Sequence, residues 1–335
     1  MEKGPLDVVG IGNAIVDVIS HAEEKDLDDL KLAKGAMTLI DVTRAEFLYE
    51  SMTPITEVSG GSAANTMVGF AQLGGTAGYI GKVRNDQLGK IFRYDISAAN
   101  VEFPTSPTVT GPPTARCLIF VTPDAQRTME TYLGASVGLG PGDINRGLVQ
   151  RAKLTYLEGY LWDESAAKEA FVLASKIAHG AGNKVALTLS DSFCVERHRK
   201  SFRDLVEAHI DILFANETEI LSLYQAKSFD QALQQIRGCC EVAALTRSEK
   251  GSVIITGGEV HLINAEPTDH VMDTTGAGDL FAAGFLFGLS RGYKLAVCGR
   301  IGSICSAEII GHFGARPEAS LNQLIAEKMG PDVLD

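Results

Sequence analysis

The part of this 335-residue chain best suited to chemistry is a run of small residues that opens into an apolar stretch. It reads Asp273-Thr274-Thr275-Gly276-Ala277-Gly278-Asp279-Leu280-Phe281. The first turn of a helix leaves backbone N–H groups without intrahelical acceptors, and the helix dipole makes that end positive. The N–H groups of Gly276, Ala277 and Gly278 are therefore expected to form an anion site, with no bulky side chain to block close approach. A carboxylate beside it, Asp279, would repel an anion and serve simple binding poorly. It suits a base that removes a hydroxyl proton while the N–H groups hold a phosphoryl group in transfer. The spacing alone fits equally well a tight turn in which Asp279 only complements the dipole.

Other segments offer polar groups at turns. Gly60-Gly61-Ser62-Ala63-Ala64-Asn65 is a second glycine loop feeding a helix. It could hold a polar ligand through backbone groups and the Asn65 amide, or act as a capped turn. Gly10-Ile11-Gly12-Asn13-Ala14-Ile15 opens like a dinucleotide fingerprint. Ile15 stands where the third glycine belongs, and β-branched residues follow where that motif needs a helix N-terminus, so the reading fails. Asn13 and Asp17 are instead polar groups carried out of an apolar strand, as ligand contacts or turn caps. Asn216-Glu217-Thr218-Glu219 follows an apolar strand, and the C-terminal ends of parallel strands face the ligand crevice. Asn216 and Glu219 share a helical face. They could hold a hydrated Mg²⁺, or cap a helix above a solvated acidic face. Arg127, next to a hairpin, could reach a phosphate or be a surface charge. No G-x-x-x-x-G-K-[ST] motif and no protein-kinase H-R-D or D-F-G element occurs, so phosphoryl transfer would have to use the 276–279 loop.

These groups need elements to position them. Apolar runs at 6–12 and 14–19 read as strands, and the stretches 21–32, 65–73 and 86–100 as helices, with a strand at 76–83. From residue 154 strands at 154–157, 184–189, 210–215 and 242–246 alternate with helices at 165–178, 198–208 and 217–224. Strands at 253–256 and 260–263 and helices at 279–289 and 295–310 follow. That alternation predicts a doubly wound, mostly parallel α/β sheet. The proline-rich connection 104–113 precedes a hairpin of 115–121 and 127–133. The β-rich segments of about 14–58 and 105–133 break the rhythm. They are expected to form a small β lid on a single domain spanning 1–335.

Composition narrows the function classes. Lys and Arg total 30 against 42 Asp and Glu, a net charge of −12. A nucleic-acid binder needs a basic face to displace counterions, so that class is disfavoured. Hydrophobic residues at 45% and charged residues at 21% match a globular chain and exclude a disordered one. The six cysteines show no CxxC spacing and read as reduced thiols rather than a zinc site or a disulfide framework. The apolar stretch 8–19 is broken by Gly10, Gly12, Asn13 and Asp17, unlike a signal peptide. The longest apolar run, 280–289, is far short of the ~18 residues that span a bilayer. The expectation is a cytoplasmic protein of small-molecule partners, monomer or dimer, with no nucleic acid and no membrane.

Together these motifs resemble the ribokinase-like (PfkB) carbohydrate and nucleoside kinase family over nearly the whole chain. Gly60–Asn65 looks like its first signature and Asp273–Gly288 its second. Gly81-Lys82-Val83-Arg84-Asn85-Asp86-Gln87-Leu88-Gly89 resembles its intervening segment, and Asn216–Glu219 its N-x-x-E motif. Within the family, Asp211–Glu219, Leu189-Ser190 before Phe193, and Arg127-Thr128 resemble the branch that acts on adenosine. The resemblance implies ATP as donor with Mg²⁺, Asp279 as base, and Gly276, Ala277 and Gly278 as the anion hole. It implies that Asn13, Asp17, Asn65 and the Gly60-Gly61 turn bind ribose hydroxyls, and Arg127 is counted with them on the acceptor side. Asn216, Thr246 and Gly251 would bind the donor nucleotide, and Glu219 would hold Mg²⁺ through water. Ser303 would lie near the donor base, and Leu133 and Tyr160 near the acceptor base. One departure is Ser248, where the family's T-x-G-x-x-G has its middle glycine. The implied reaction is phosphorylation of a nucleoside 5′-hydroxyl, adenosine foremost. The rivals are a sugar kinase of the same family and a non-catalytic nucleotide-binding sensor.

Overall fold

Strand β1 (Leu6–Ile11) is buried at every position, as a strand covered on both faces must be. The computed structural model describes residues 4–53, 55–124 and 126–330. Pro54 of the expected lid and Ala125 of the hairpin turn lie outside them. Strand β1 pairs in parallel with β5 (Ala77–Ile80) and β9 (Ala152–Glu158). Beyond β5 lies β6 (Val101–Glu102). Beyond β9 come β10 (Lys184–Thr188), β11 (Ile212–Asn216), β12 (Val242–Thr246), β13 (Ser252–Ile255) and β14 (Val260–Ile263). The order is β14-β13-β12-β11-β10-β9-β1-β5-β6, and only the pairings of β12 with β13 and β13 with β14 are antiparallel.

Alternate side chains enter two different cores. Val8, Tyr79, Tyr156 and Phe214 face one side. There they meet α3 (Ser62–Gln72), α4 (Gln87–Ala98), α10 (Ala277–Ser290), α11 (Leu295–Ile309) and α12 (Leu321–Met329). Val9, Ile11, Leu157, Leu187 and Leu213 face the other. There they meet α5 (Arg146–Arg151), α6 (Ser165–Gly180), α7 (Ser192–His209), α8 (Glu217–Tyr224) and α9 (Phe229–Ile236). Helix α10 is buried from Leu280 through Gly288 without a break, so it is a central helix rather than an amphipathic surface one. Among the described residues no helix is long and apolar enough to cross a membrane.

A second sheet has the order β3-β8-β7-β2-β4. Its strands are β2 (Ile15–His21), β3 (Met37–Leu39), β4 (Thr56–Gly60), β7 (Ala115–Val121) and β8 (Arg127–Tyr132). Val16 and Val18 on β2 turn toward α1 (Glu24–Leu30) and α2 (Val42–Ser51), joining the first core. Ile15, Asp17 and Ile19 turn to the opposite face, as the two-residue period of a strand requires.

The structure departs from the sequence expectations at boundaries. Gly60 is not loop but the last residue of β4, paired with Ile15 in the β2–β4 ladder, and α3 begins at Ser62. Helix α7 starts at Ser192, capped by the Asp191 side chain, and the expected start at 198 is an internal kink at His198. Strand β6 and helices α5, α9 and α12 form where the sequence pattern predicts no element, and helix α2 interrupts the segment of about 14–58 expected to be β-rich. Three of these helices start at local caps. The N–H groups of Arg44, Leu148 and Gln231 donate to the side chains of Asp41, Asn145 and Ser228 at 2.8, 3.0 and 3.2 Å.

Candidate functional site

Asp279 lies in the first turn of α10. Its carboxylate accepts from Ser62 Oγ at 2.6 Å and from Asn65 Nδ2 at 3.1 Å. Burial pushes its carboxyl above the ordinary value. The Ser62 and Asn65 bonds and the Arg316 charge act against that push. The preceding loop is set by Asp273, whose Oδ1 accepts from the Thr275 N–H at 2.9 Å.

The three expected anion-binding N–H groups are not equivalent. That of Ala277 donates to the Thr274 carbonyl at 3.2 Å and closes the turn, which corrects the expectation that it points outward. Those of Gly276 and Gly278 have no acceptor among the described residues. A Cβ built on Gly278 would meet no atom within 4 Å. The space beside this helix end is therefore open, as a bound phosphate needs.

Arg127 is not a surface charge. It donates from β8 to Asp273, and both side chains are only 7% exposed. The pair joins the second sheet to the loop before α10, and it leaves the buried Nε of Arg127 without a partner.

Asp17, Asn13 and Asn65 gather about the Gly60-Gly61 turn, and what they offer is acceptors. Asn13 commits its Nδ2 to Glu158 at 2.6 Å, leaving Oδ1 buried and unpartnered. Asn65 commits its Nδ2 to Asp279 and also leaves Oδ1 unpartnered. No donor among the described residues bonds Asp17. Its carboxyl is pushed up to about 6: burial raises it most, Arg127 and Arg316 lower it, and Asp279 raises it further. The turn at Gly60-Gly61 makes this close assembly possible. A Cβ on Gly60 would stand 2.5 Å from Asp17 Oδ2. One on Gly61, at φ +96°, would stand 2.2 Å from the Asn13 carbonyl.

The face of the second sheet that carries Asp17 and Arg127 also carries an apolar cluster apart from the two main cores. Cys117, Ile119 and Val121 are buried there beside Ile15, Ile19 and Met129. Leu133 lies just past β8, in a groove of about 350 Å³ with Leu39, Pro112, Tyr132 and Val137. Tyr160 does not line that groove, and burial with the charges of Asp191, Asp279, Glu158 and Glu219 pushes its hydroxyl upward.

On the donor side, Asn216 and Thr246 are register partners at the C-terminal ends of β11 and β12. Asn216 and Glu219 form a reciprocal cap. The Glu219 N–H donates to Asn216 Oδ1 at 2.8 Å, and the Glu219 carboxylate accepts from Asn216 N and Nδ2 at 2.9 and 2.7 Å. Glu219 is 5% exposed, so the solvated acidic face is excluded. Burial, reinforced by Asp191, pushes it up to about 7. Among the described residues no group of three His, Cys, Asp or Glu side chains could hold a metal ion. Ser303 is buried; it donates to the Asn264 carbonyl at 3.1 Å and accepts from the Glu266 N–H at 2.9 Å. Gly251 directly precedes β13.

Ser248 adopts φ +52°, the left-handed conformation for which glycine is suited. That conformation costs a residue with a Cβ about 1–2 kcal/mol, while glycine loses about 0.5–1 kcal/mol more chain entropy on folding. Ser248→Gly is therefore expected to stabilise the protein by up to about 1.5 kcal/mol. The readout is a higher denaturant midpoint, and a lower midpoint would mean the Ser248 side chain contributes more than its backbone strain costs.

Three groups in the cleft escape a reading of the sequence. Ser62 lies inside the glycine loop, but nothing in the loop's pattern assigns it a role. Glu158 ends a parallel strand, the same signal that singles out Asn216. It accepts from Asn13 and from the Ala63 N–H at 2.8 Å, and burial pushes it up to about 7. Arg316 has no local signal at all.

Known proteins give this geometry its relatives. The model of the pfkB family carbohydrate kinases matches residues 37–321. The structure of an adenosine kinase from Sinorhizobium meliloti is 49% identical, with a TM-score of 0.89, covering 97% of this chain and 99% of that one. That of a probable sugar kinase protein from Rhizobium etli is 50% identical with the same TM-score and coverage. A 5-dehydro-2-deoxygluconokinase of Shouchella clausii is 27% identical over 92% of this chain and 97% of its own. The two-sheet α/β architecture is thus the ribokinase-like fold, and the chain belongs to the pfkB family of carbohydrate kinases, enzymes that transfer a phosphoryl group from ATP to a hydroxyl acceptor.

Proposed function

We propose that this kinase phosphorylates the 5′-hydroxyl of a nucleoside, adenosine foremost. The observation that carries the reading is the pairing of two surfaces on one face of the second sheet. Asp17, with the free oxygens of Asn13 and Asn65, asks for a ligand that brings hydroxyl donors. Beside it lies the apolar cluster around Ile119 and Val121. A ribonucleoside satisfies both, with a vicinal diol for Asp17 and a flat base for the apolar wall. The 49% identity with an adenosine kinase supports the same acceptor. Likeness to a probable sugar kinase and to a 5-dehydro-2-deoxygluconokinase favours, as the second reading, a sugar-type acceptor on the same hydroxyl-reading groups.

Asp279 is the base in this reading. Ser62 and Asn65 hold its carboxylate in place, and its raised pKa brings it closer to the hydroxyl proton it takes. Gly276 and Gly278 offer their N–H groups to the phosphoryl oxygens, with the Ala277 N–H bracing the turn. Bound ATP supplies the γ-phosphoryl group, and Mg²⁺ neutralises its phosphates. Asn216, Thr246 and Gly251 border the donor nucleotide, and Ser303 acts indirectly by holding 264–266. The five-stranded sheet is a lid over the acceptor, with Leu133 at its edge. The Arg127–Asp273 pair draws it against the anion loop and excludes water, which otherwise competes for the phosphoryl group.

Glu219 and Asn216, joined in one cap at the end of β11, would hold Mg²⁺ through water, and a divalent cation there would relieve the charge of the buried Glu219 carboxylate beside Asp191. Glu219→Gln is expected to raise the Mg²⁺ concentration for half-maximal rate several-fold. A superimposable Mg²⁺ titration would leave Glu219 as a helix cap only.

The acceptor is tested by comparing kcat/KM for adenosine, inosine, guanosine, cytidine, ribose and fructose. Burying about 100 Å² of base contributes roughly 2.5 kcal/mol at about 25 cal/mol per Å². Adenosine is therefore expected to exceed ribose by nearly two orders of magnitude. Ribose or fructose ahead of adenosine would install the sugar reading instead.

A further inference from the structure

We infer that Arg316 is a positioning residue of the acceptor site, stapling the junction between the two sheets while its charge faces both acceptor carboxylates. The inference rests on the roles proposed above for Asp17 and Asp279. Arg316 lies in the segment between α11 and α12, far along the chain from everything it touches. Its Nε and Nη2 donate to the Ser59 carbonyl at 3.1 and 2.7 Å, Nη2 also to Ser59 Oγ at 2.8 Å, and Nη1 to the Ala64 carbonyl at 3.1 Å.

The two carbonyls lie on opposite sides of the Gly60-Gly61 turn. Ser59 belongs to β4 of the lid sheet, next to the strand that carries Asp17. Ala64 belongs to α3, the helix that presents Ser62 and Asn65 to Asp279. One planar fork thus fixes the lid strand against the helix that orients the base. From the other side, Asp95 on α4 accepts from the Ser59 N–H at 2.7 Å. A turn of two glycines has little stiffness of its own, so the angle between lid and base depends on this fork. Lysine could not reproduce it, because a single ammonium lacks the fixed spread of donors.

The charge has a second consequence. The ionisable groups facing Arg316 are Asp95 on α4, Asp17 on β2, Asp279 on α10 and Tyr79 on β5. Those facing Asp279 are Asp17, Tyr156 and Glu158 on β9, Tyr160 and Arg316, with Ser62 and Asn65 bonded to it. Arg316 holds down both Asp17 and Asp279, whereas Arg127 acts on Asp17.

The two effects separate in two variants of the full-length enzyme, Arg316→Gln and Arg316→Lys, assayed with ATP–Mg²⁺ and adenosine from about pH 5 to 9. Arg316→Gln loses the fork and the charge. Its acceptor KM is expected to rise about tenfold, and the acid limb of its kcat/KM profile to move up by about one pH unit. Arg316→Lys keeps the charge and loses the fork, so its KM rises while its acid limb stays at the wild-type position. If Arg316→Gln does not fold, Arg316→Lys decides alone. A wild-type acceptor KM in Arg316→Lys, or an unmoved acid limb in folded Arg316→Gln, overturns the inference. If wild type phosphorylates a sugar rather than adenosine, the acceptor reading fails, and the same two variants test Arg316 with that sugar.

Discussion

Asp279→Asn is expected to lower turnover by about 10²–10⁴-fold, the usual worth of a positioned base, without loss of stability. The substitution preserves the local bonding. The introduced amide can accept from Asn65 through its oxygen and donate to the Ser62 hydroxyl, which accepts as readily as it donates. What disappears is the carboxylate proposed to take the proton. The sign of the stability effect follows from burial. Asp279 has a carboxyl raised above its ordinary value in the folded state. Its contribution to stability is full below the unfolded pKa and is lost as pH rises through the folded one. A neutral amide avoids that loss, so the variant is expected to melt no lower than wild type at neutral pH. More than about a tenth of wild-type turnover in a single-turnover experiment, where chemistry limits the rate, would remove Asp279 from the role of base.

Asp17→Ala is expected to cost about 10²-fold or more in kcat/KM for adenosine, since a carboxylate accepting two hydroxyl hydrogen bonds loses about 1.5–3 kcal/mol for each. It should also narrow the preference for adenosine over 2′-deoxyadenosine, because the group that reads the second hydroxyl is gone. An unchanged preference would assign that discrimination elsewhere. Asp17→Asn carries the pH signature. With the folded carboxyl pushed up to about 6 against an ordinary 3.8, wild-type stability falls as pH rises through that window. The Asn variant is expected to melt higher than wild type above pH 6 and to lose that advantage below 3.8. If Asp17 binds the acceptor as proposed, wild-type kcat/KM is expected to fall on the acid side as Asp17 takes up a proton. A melting difference independent of pH would mean that Asp17 is solvated rather than buried.

The local pattern of the chain was enough to determine the β/α alternation and the parallel sheet. Strand and helix periods are written in neighbouring residues, and a right-handed crossover leaves few topologies for such an alternation. The contiguous motifs were legible for the same reason. Gly276, Gly278 and Asp279 lie within one turn, and Asn216 and Glu219 within one cap. Even there the backbone held information the sequence lacked. The Ala277 N–H turns inward because the Thr274 carbonyl takes it, and Glu219 is buried because its helix start lies within the protein. The remaining parts of the cleft were decided by tertiary structure alone. Ser62 reaches Asp279 across 217 residues, and Arg316 reaches Ser59 across 257. A lone serine or arginine at such a distance carries no periodicity or spacing to reveal its partner. Its role exists only once the two sheets have closed on each other and charge, burial and an unpaired carbonyl meet in one place.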